Sequence, residues 1–123
     1  MLLARRASHK LRAPNCWDVI GGHVEPGETI EQALLREAQE EVGLTPLRFV
    51  PAGAILEPRP DLHGEATYHF FIVTEWSGGD ASMLGDEHTE LRWFSIEEAR
   101  ALKNLALAEY RNLFRKLAVH GLV

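Results

Sequence analysis

The stretch GHVEPGETIEQALLREAQEEVGL, Gly22 to Leu44, decides how the rest of the chain is read. Pro26-Gly27 marks a turn. Thr29-Ile30-Glu31-Gln32 then fits a capping box, in which Thr29 is the N-cap and Gln32 stands three residues on. Gly43 stops the helix, with Leu44 placed to pack back as in a Schellman end. The predicted helix is about 13 residues long, or roughly 20 Å.

An α-helix advances about 100° per residue, so with Glu37 at zero, Glu41 falls at about +40° and Glu40 at about −60°. On the same wheel Ile30 lies near +20°, Ala33 near −40° and Leu34 near +60° (all about ±10°). The three carboxylates therefore continue the apolar stripe of the first turns, whereas a merely solvated helix would set them across from it. Carboxylates at i, i+3 and i+4 reach one another and repel, and partial burial worsens the repulsion. A divalent cation such as Mg²⁺ or Mn²⁺, which prefers oxygen ligands and bridges carboxylates to phosphates, resolves both problems. On spacing alone an ordinary acidic helix surface explains the pattern equally well, because Glu is a strong helix former.

Charge points to the same segment. The chain has 123 residues, 13 basic and 18 acidic, and a net charge of −5. Gly22 to Leu44 holds six of the acids (Glu25, Glu28, Glu31, Glu37, Glu40, Glu41) and one base, Arg36, so the whole excess sits there. A pI near 5.6 argues against a dedicated nucleic-acid binder. No apolar run approaches the ~20 residues of a membrane span, and the N-terminus shows no signal-peptide core. The single cysteine, Cys16, excludes an internal disulfide framework and fits the reducing cytoplasm. Length and composition suit one globular domain over residues 1–123.

Outward from the segment, Met1 to Arg6 and Trp17 to Ile20 read as strands, as do Leu47 to Leu56, Ala66 to Trp76 and Leu91 to Phe94. Ser95-Ile96-Glu97-Glu98 is a second capping box, opening a short helix, and Ala106 to Val119 reads as an amphipathic closing helix. The irregular alternation predicts an α/β fold, a mixed sheet with helices on both faces. Trp17 and Trp93 read as core residues.

Gly22-x5-Glu28-x7-Arg36-Glu37-Ala38-x-Glu40-Glu41-x-Gly43-Leu44 resembles the signature of the Nudix hydrolases, written GX5EX7REUXEEXGU with U a bulky aliphatic residue. Every fixed position matches, and Ala38 is a soft departure at the first U. Nine defined positions over 23 residues are far more specific than a lone glycine motif. The surrounding layout is also similar, with LLARR before the box, Trp17 ahead of the glycines, and ELRWFS leading into a helix. Ile20 stands where many relatives have a proline, which alters the turn entering the loop.

The resemblance implies the Nudix α/β/α sandwich and hydrolysis of a nucleoside diphosphate linked to another moiety, with Mg²⁺ (or Mn²⁺ in its place) holding the phosphates. Carried over by position, it implies Glu37, Glu40 and Glu41 as metal ligands, with Glu28 supporting the site directly or through water. It likewise implies a backbone carbonyl from Gly22 and a carboxylate-orienting role for Arg36. Glu41 is the first choice of base within the box. Glu87 and Glu90, in Gly85 to Glu90, are the loop candidates, with a solvated acidic turn as the alternative. Arg5 and Arg6 face opposite sides of a strand, and one of them, Arg6 by preference, is expected to reach the substrate phosphates. The six histidines show no zinc-ligand spacing.

Relatives usually carry one more strand ahead of LLARR. Either the natural N-terminus is longer than Met1 or the sheet lacks that edge strand; a missing edge would leave unpaired backbone groups, and a homodimer or a disturbed N-terminal region is then expected. The expected substrate is a nucleoside triphosphate, oxidised or otherwise non-standard, split to monophosphate and pyrophosphate. The alternatives are a nucleotide-sugar, ADP-ribose or dinucleoside polyphosphate hydrolase, and a nucleotide sensor of Nudix fold that does not hydrolyse.

Overall fold

The computed structural model describes residues 1–119, so the last four residues of the expected 1–123 domain lie outside it. The elements run β1 (Leu2–Arg6), β2 (Trp17–Asp18), α1 (Ile30–Val42), β3 (Thr45–Leu56), α2 (Pro60–His63), β4 (Thr67–Ser77), β5 (His88–Trp93), α3 (Ile96–Ala101) and α4 (Tyr110–Val119).

Strand β1 is central in a three-stranded sheet of order β2-β1-β5, and β3 pairs with β4 in a second sheet. The named ladders are antiparallel, and the parallel pairing among the described residues is the bridge Trp17↔Leu105. Leu3 and Ala4 are both fully buried, so β1 is covered on both faces. Among the described residues β1 also pairs on both edges, with β2 at Ala4 and Arg5 and with β5 along its length.

Strands β3 and β4 form a long twisted hairpin whose register shifts at three places, between Pro46 and Arg48, Arg48 and Phe49, and Pro51 and Gly53. Such irregularities increase twist and bend a strand.

The core gathers Leu3 and Trp17 from the first sheet with Phe70, Phe94, Ile96, Tyr110 and Phe114. Trp17 meets Phe94 edge-on at 5.1 Å, and Phe70 meets Tyr110 at 5.8 Å in the same manner, the geometry aromatic quadrupoles favour. Helices α3 and α4 supply this layer. Helix α1 runs along β3 and buries Ala33, Ala38 and Val42.

Both capping boxes form as expected. In α1 the Thr29 hydroxyl accepts the Gln32 N–H at 3.1 Å and the Gln32 side chain accepts the Thr29 N–H at 2.8 Å. In α3 the Ser95 hydroxyl accepts the Glu98 N–H and Glu98 returns the bond. Gly43 closes α1 with φ 71°, and the N–H groups of Gly43 and Leu44 bond back to Gln39 and Ala38.

Several expectations need correction: the strand expected over Trp17 to Ile20 ends at Asp18, and the one expected from Leu47 starts at Thr45. The closing helix begins at Tyr110 rather than Ala106, because the Trp17 backbone captures the preceding segment: Trp17 N–H donates to Asn104 O at 2.7 Å and Ala106 N–H to Trp17 O at 2.8 Å. The fifth strand starts earlier, at His88. Trp93 is 56% exposed and stacks on Trp76 at 5.9 Å instead of entering the core. Its partner in that stack, Trp76 on β4, is itself 40% exposed, so the pair sits at the surface.

Candidate active site

The site is built around α1 and the loop between β2 and that helix. Capping at both ends fixes where the helix starts and stops, and hence where Arg36, Glu37, Glu40 and Glu41 project. Arg36 binds the acidic cluster together. Its Nε and Nη2 donate to the two oxygens of Glu28 at 2.7 and 3.0 Å, a bidentate pair. Its Nη1 donates to Glu37 Oε1 at 2.7 Å and Glu40 Oε2 at 3.2 Å, and stands 3.8 Å from Glu25 Oε1. Nη2 also donates to the carbonyl of His23 at 2.8 Å, fastening the loop to the helix. The Arg36 bond holds the Glu28 carboxyl down at about 2, helped by the Glu25 N–H, which Glu28 accepts at 2.9 Å.

The carboxylates differ sharply in environment. Glu40 is 60% exposed, Glu37 14%, and Glu41 is buried. Burial pushes the Glu41 carboxyl up to about 8, against the Gly21 N–H that donates to its Oε2 at 3.0 Å and with the added repulsion of Glu37, Glu87 and Asp18. The apolar-to-acidic stripe read from the helical wheel is thus real for Glu37 and Glu41, while Glu40 lies at its solvent rim. Gly22 fits against Glu37: a Cβ there would stand 2.5 Å from Glu37 Cδ and 2.8 Å from Oε2.

A broad cleft joins these residues to the far wall, and Glu37, Glu40 and Glu41 line it together with Gly22, Arg6 and Glu87. Arg6 is spoken for, its Nη1 donating to Asp18 Oδ2 at 3.2 Å and its Nε to Arg12 O at 2.8 Å. Arg5 points elsewhere, donating to Asn15 O at 3.1 Å, and does not line the cleft. Glu87 pairs with Lys10 at 3.6 Å at the cleft's rim. Glu90 lies on β5 opposite Arg5 and bonds Arg92 at 2.5 Å, away from the cleft. Of the two loop candidates for a base, the fold brings only Glu87 to the box.

Sequence reasoning missed a polar network that brings Asp18, Arg12 and Tyr68 to the cleft. Asp18 accepts from Tyr110, Arg6 and Val19, while Arg12 stands over the Tyr68 ring at 5.4 Å and Tyr68 donates to the buried Glu57. The partners lie up to 92 residues apart in sequence, and no spacing rule connects them.

As the side chains stand, no three His, Cys, Asp or Glu residues among those described are in position to share one cation. The reason is visible: Arg36 engages Glu28, Glu37 and Glu40 and offsets part of their charge. The donors are nevertheless all carboxylate and carbonyl oxygens, the set a hard divalent cation takes, so their chemistry fits such a metal.

A family model described as NUDIX domain matches residues 1–117. The chain belongs to the Nudix hydrolase family. It is similar to the 8-oxo-dGTP diphosphatase of Escherichia coli, 38% identical over 96 residues that cover 78% of this chain and 70% of that protein. It is 45% identical over 60 residues to the 8-oxo-dGTP diphosphatase of Proteus vulgaris, a match covering 49% of this chain and about half, 52%, of the relative. The fold matches the crystal structure of a MutT NUDIX hydrolase from Burkholderia pseudomallei with a TM-score of 0.82 at 22% identity, covering 94% of this chain and 86% of that one. Among the described residues no helix is long and apolar enough to cross a membrane.

Proposed function

We propose that the protein is a Mg²⁺-dependent hydrolase that splits a nucleoside triphosphate, an oxidised purine nucleotide foremost, into the monophosphate and pyrophosphate. The single observation that carries the reading is the buried Glu41 set beside the Arg36-bound cluster of Glu28, Glu37 and Glu40 on one wall of a cleft. The two 8-oxo-dGTP diphosphatases to which the chain is similar support the substrate class.

In this reading Glu37, Glu40 and Glu41 hold the metal, with Glu28 in support and the Gly22 carbonyl at its side. When bound, Mg²⁺ neutralises phosphate oxygens and lowers the pKa of attacking water. Arg36 keeps the carboxylates from scattering before the substrate arrives. Glu41, buried in the cleft beside the other carboxylates, is placed to take a proton from water. Glu87, at the rim, is the second group able to do so. Water adds to a phosphorus of the α–β bridge, the P–O anhydride bond breaks, and the water's protons leave to the base and solvent. The protein acts in the cytoplasm on a small-molecule nucleotide.

A panel containing dGTP, 8-oxo-dGTP, ADP-ribose, a nucleotide sugar and a dinucleoside tetraphosphate tests this. Mg²⁺-dependent release of pyrophosphate from the triphosphates, fastest for the oxidised one, is expected. Tight binding of one compound with turnover of none would overturn the enzyme reading.

A further inference from the structure

Asp18 lies outside the carboxylate set of the motif and is 8% exposed. It sits on β2, which is two residues long and paired with β1 through Ala4↔Asp18 and Arg5↔Trp17 alone. A strand that short does little by itself to fix the loop it feeds. Besides the Trp17 backbone bonds to Asn104 and Ala106 and the Arg36 bond to His23 O, the loop is held through the Asp18 side chain, whose two oxygens are both engaged. Oδ1 accepts the Tyr110 hydroxyl at 2.6 Å and the Val19 N–H at 2.9 Å; Oδ2 accepts Arg6 Nη1 at 3.2 Å, with Arg12 Nη1 at 3.7 Å. Those partners come from α4, β1 and the loop after β1, so one carboxylate ties three elements together.

Three residues beyond Asp18, Gly21 N–H donates to Glu41 Oε2 at 3.0 Å, and the next residue, Gly22, leaves room for the Glu37 carboxylate that a Cβ would take away. The position of this backbone therefore decides where two of the site's carboxylates rest. We infer that Asp18 is a positioning residue for the hydrolysis, anchoring the loop through Tyr110 and Arg6 so that Gly21 and Gly22 set the orientation of Glu41 and Glu37. The inference rests on the reading of those glutamates given above. Burial and the Asp18 charge push the Tyr110 hydroxyl's pKa up, so it remains a donor throughout the working range. Asp18 makes no hydrogen bond to either glutamate: its charge adds to the repulsion at Glu41, and its positioning effect is transmitted through four residues of backbone, which Tyr110→Phe tests with the Asp18 charge kept.

Two variants test this, Asp18→Asn and Tyr110→Phe, the second removing a single hydroxyl from an otherwise intact ring. In the metal-free protein, amide exchange at Gly21 is expected to accelerate about tenfold in each, since the bond to Glu41 opens more often. In the Mg²⁺-loaded enzyme, kcat per folded molecule is expected to fall about tenfold or more in Asp18→Asn and about threefold in Tyr110→Phe, with KM within about threefold of wild type. Unchanged Gly21 exchange with unchanged kcat overturns the inference. So does a raised KM at normal kcat, which would make Asp18 a nucleotide-contacting residue. If Asp18→Asn does not fold, Tyr110→Phe decides by the same readouts. A wild-type protein that turns over no nucleotide overturns the proposed function instead, and Gly21 exchange in the metal-free variants then decides this inference alone.

Discussion

The α-carbon of Gly22 lies directly against the carboxylate of Glu37, so closely that a methyl group there would stand 2.5 Å from Glu37 Cδ. The requirement for glycine comes from that approach. Gly22→Ala is expected to displace Glu37 or the loop and to lower kcat/KM by about 100-fold, the scale of a 1 Å misplacement. Gly22 is solvent-exposed, so thermal melting should move little. Normal kcat/KM in the variant would show that Glu37 moves aside freely.

Arg36→Lys keeps the charge and loses the fork that spans Glu28, Glu37 and Glu40. The metal-free variant should melt at a lower temperature than wild type, and Mg²⁺ should raise its melting temperature by more. The Glu28 carboxyl is depressed to about 2 from 4.5. Its contribution to stability is therefore complete above pH 4.5 and lost as pH falls towards 2. Wild type should show this acid loss, and Arg36→Lys should show less of it. Identical melting behaviour with and without Mg²⁺ would remove the cluster's repulsion from the account.

Glu41 gives the opposite sign. Its folded-state pKa of about 8 lies above the ordinary 4.5, so the folded protein holds a proton that the unfolded chain releases. Wild type should thus lose stability relative to Glu41→Gln as pH rises from 4.5 to 8, by on the order of 4 kcal/mol in all. Urea unfolding of chelated protein at pH 5 and pH 8.5 checks this. The same variant should lose turnover by orders of magnitude, and near-normal activity would reject Glu41 as a central ligand or base.

Thr29→Ala removes the hydroxyl that caps α1 at 3.1 Å. The expected cost is about 1 kcal/mol, with kcat within about twofold because the carboxylates lie two turns further on. A much larger loss of activity, measured at equal folded fraction, would show that the helix start and the site are coupled.

What the residues disclose unaided is what is encoded locally. Both capping boxes, the Gly43 stop and the bounds of α1 follow from neighbours within a few positions, and the angular reading placed Glu37 and Glu41 on the buried side. The contacts that were not legible are long-range. Tyr110 reaches Asp18 across 92 residues, and Arg12 joins Asp18 to Glu57 and Tyr68 from a loop with no pattern. Trp93 shows the same limit: hydrophobicity predicts burial, while its stacking partner Trp76 lies on β4 and is itself at the surface.

The Arg36 fork has one more implication. A guanidinium already resident among Glu25, Glu28, Glu37 and Glu40 means that the polypeptide carries its own counter-charge for this cluster. Arrival of a metal is then an exchange of partners within a finished architecture. Chelators should silence the protein without unravelling it, in contrast to small domains whose metal is part of their skeleton.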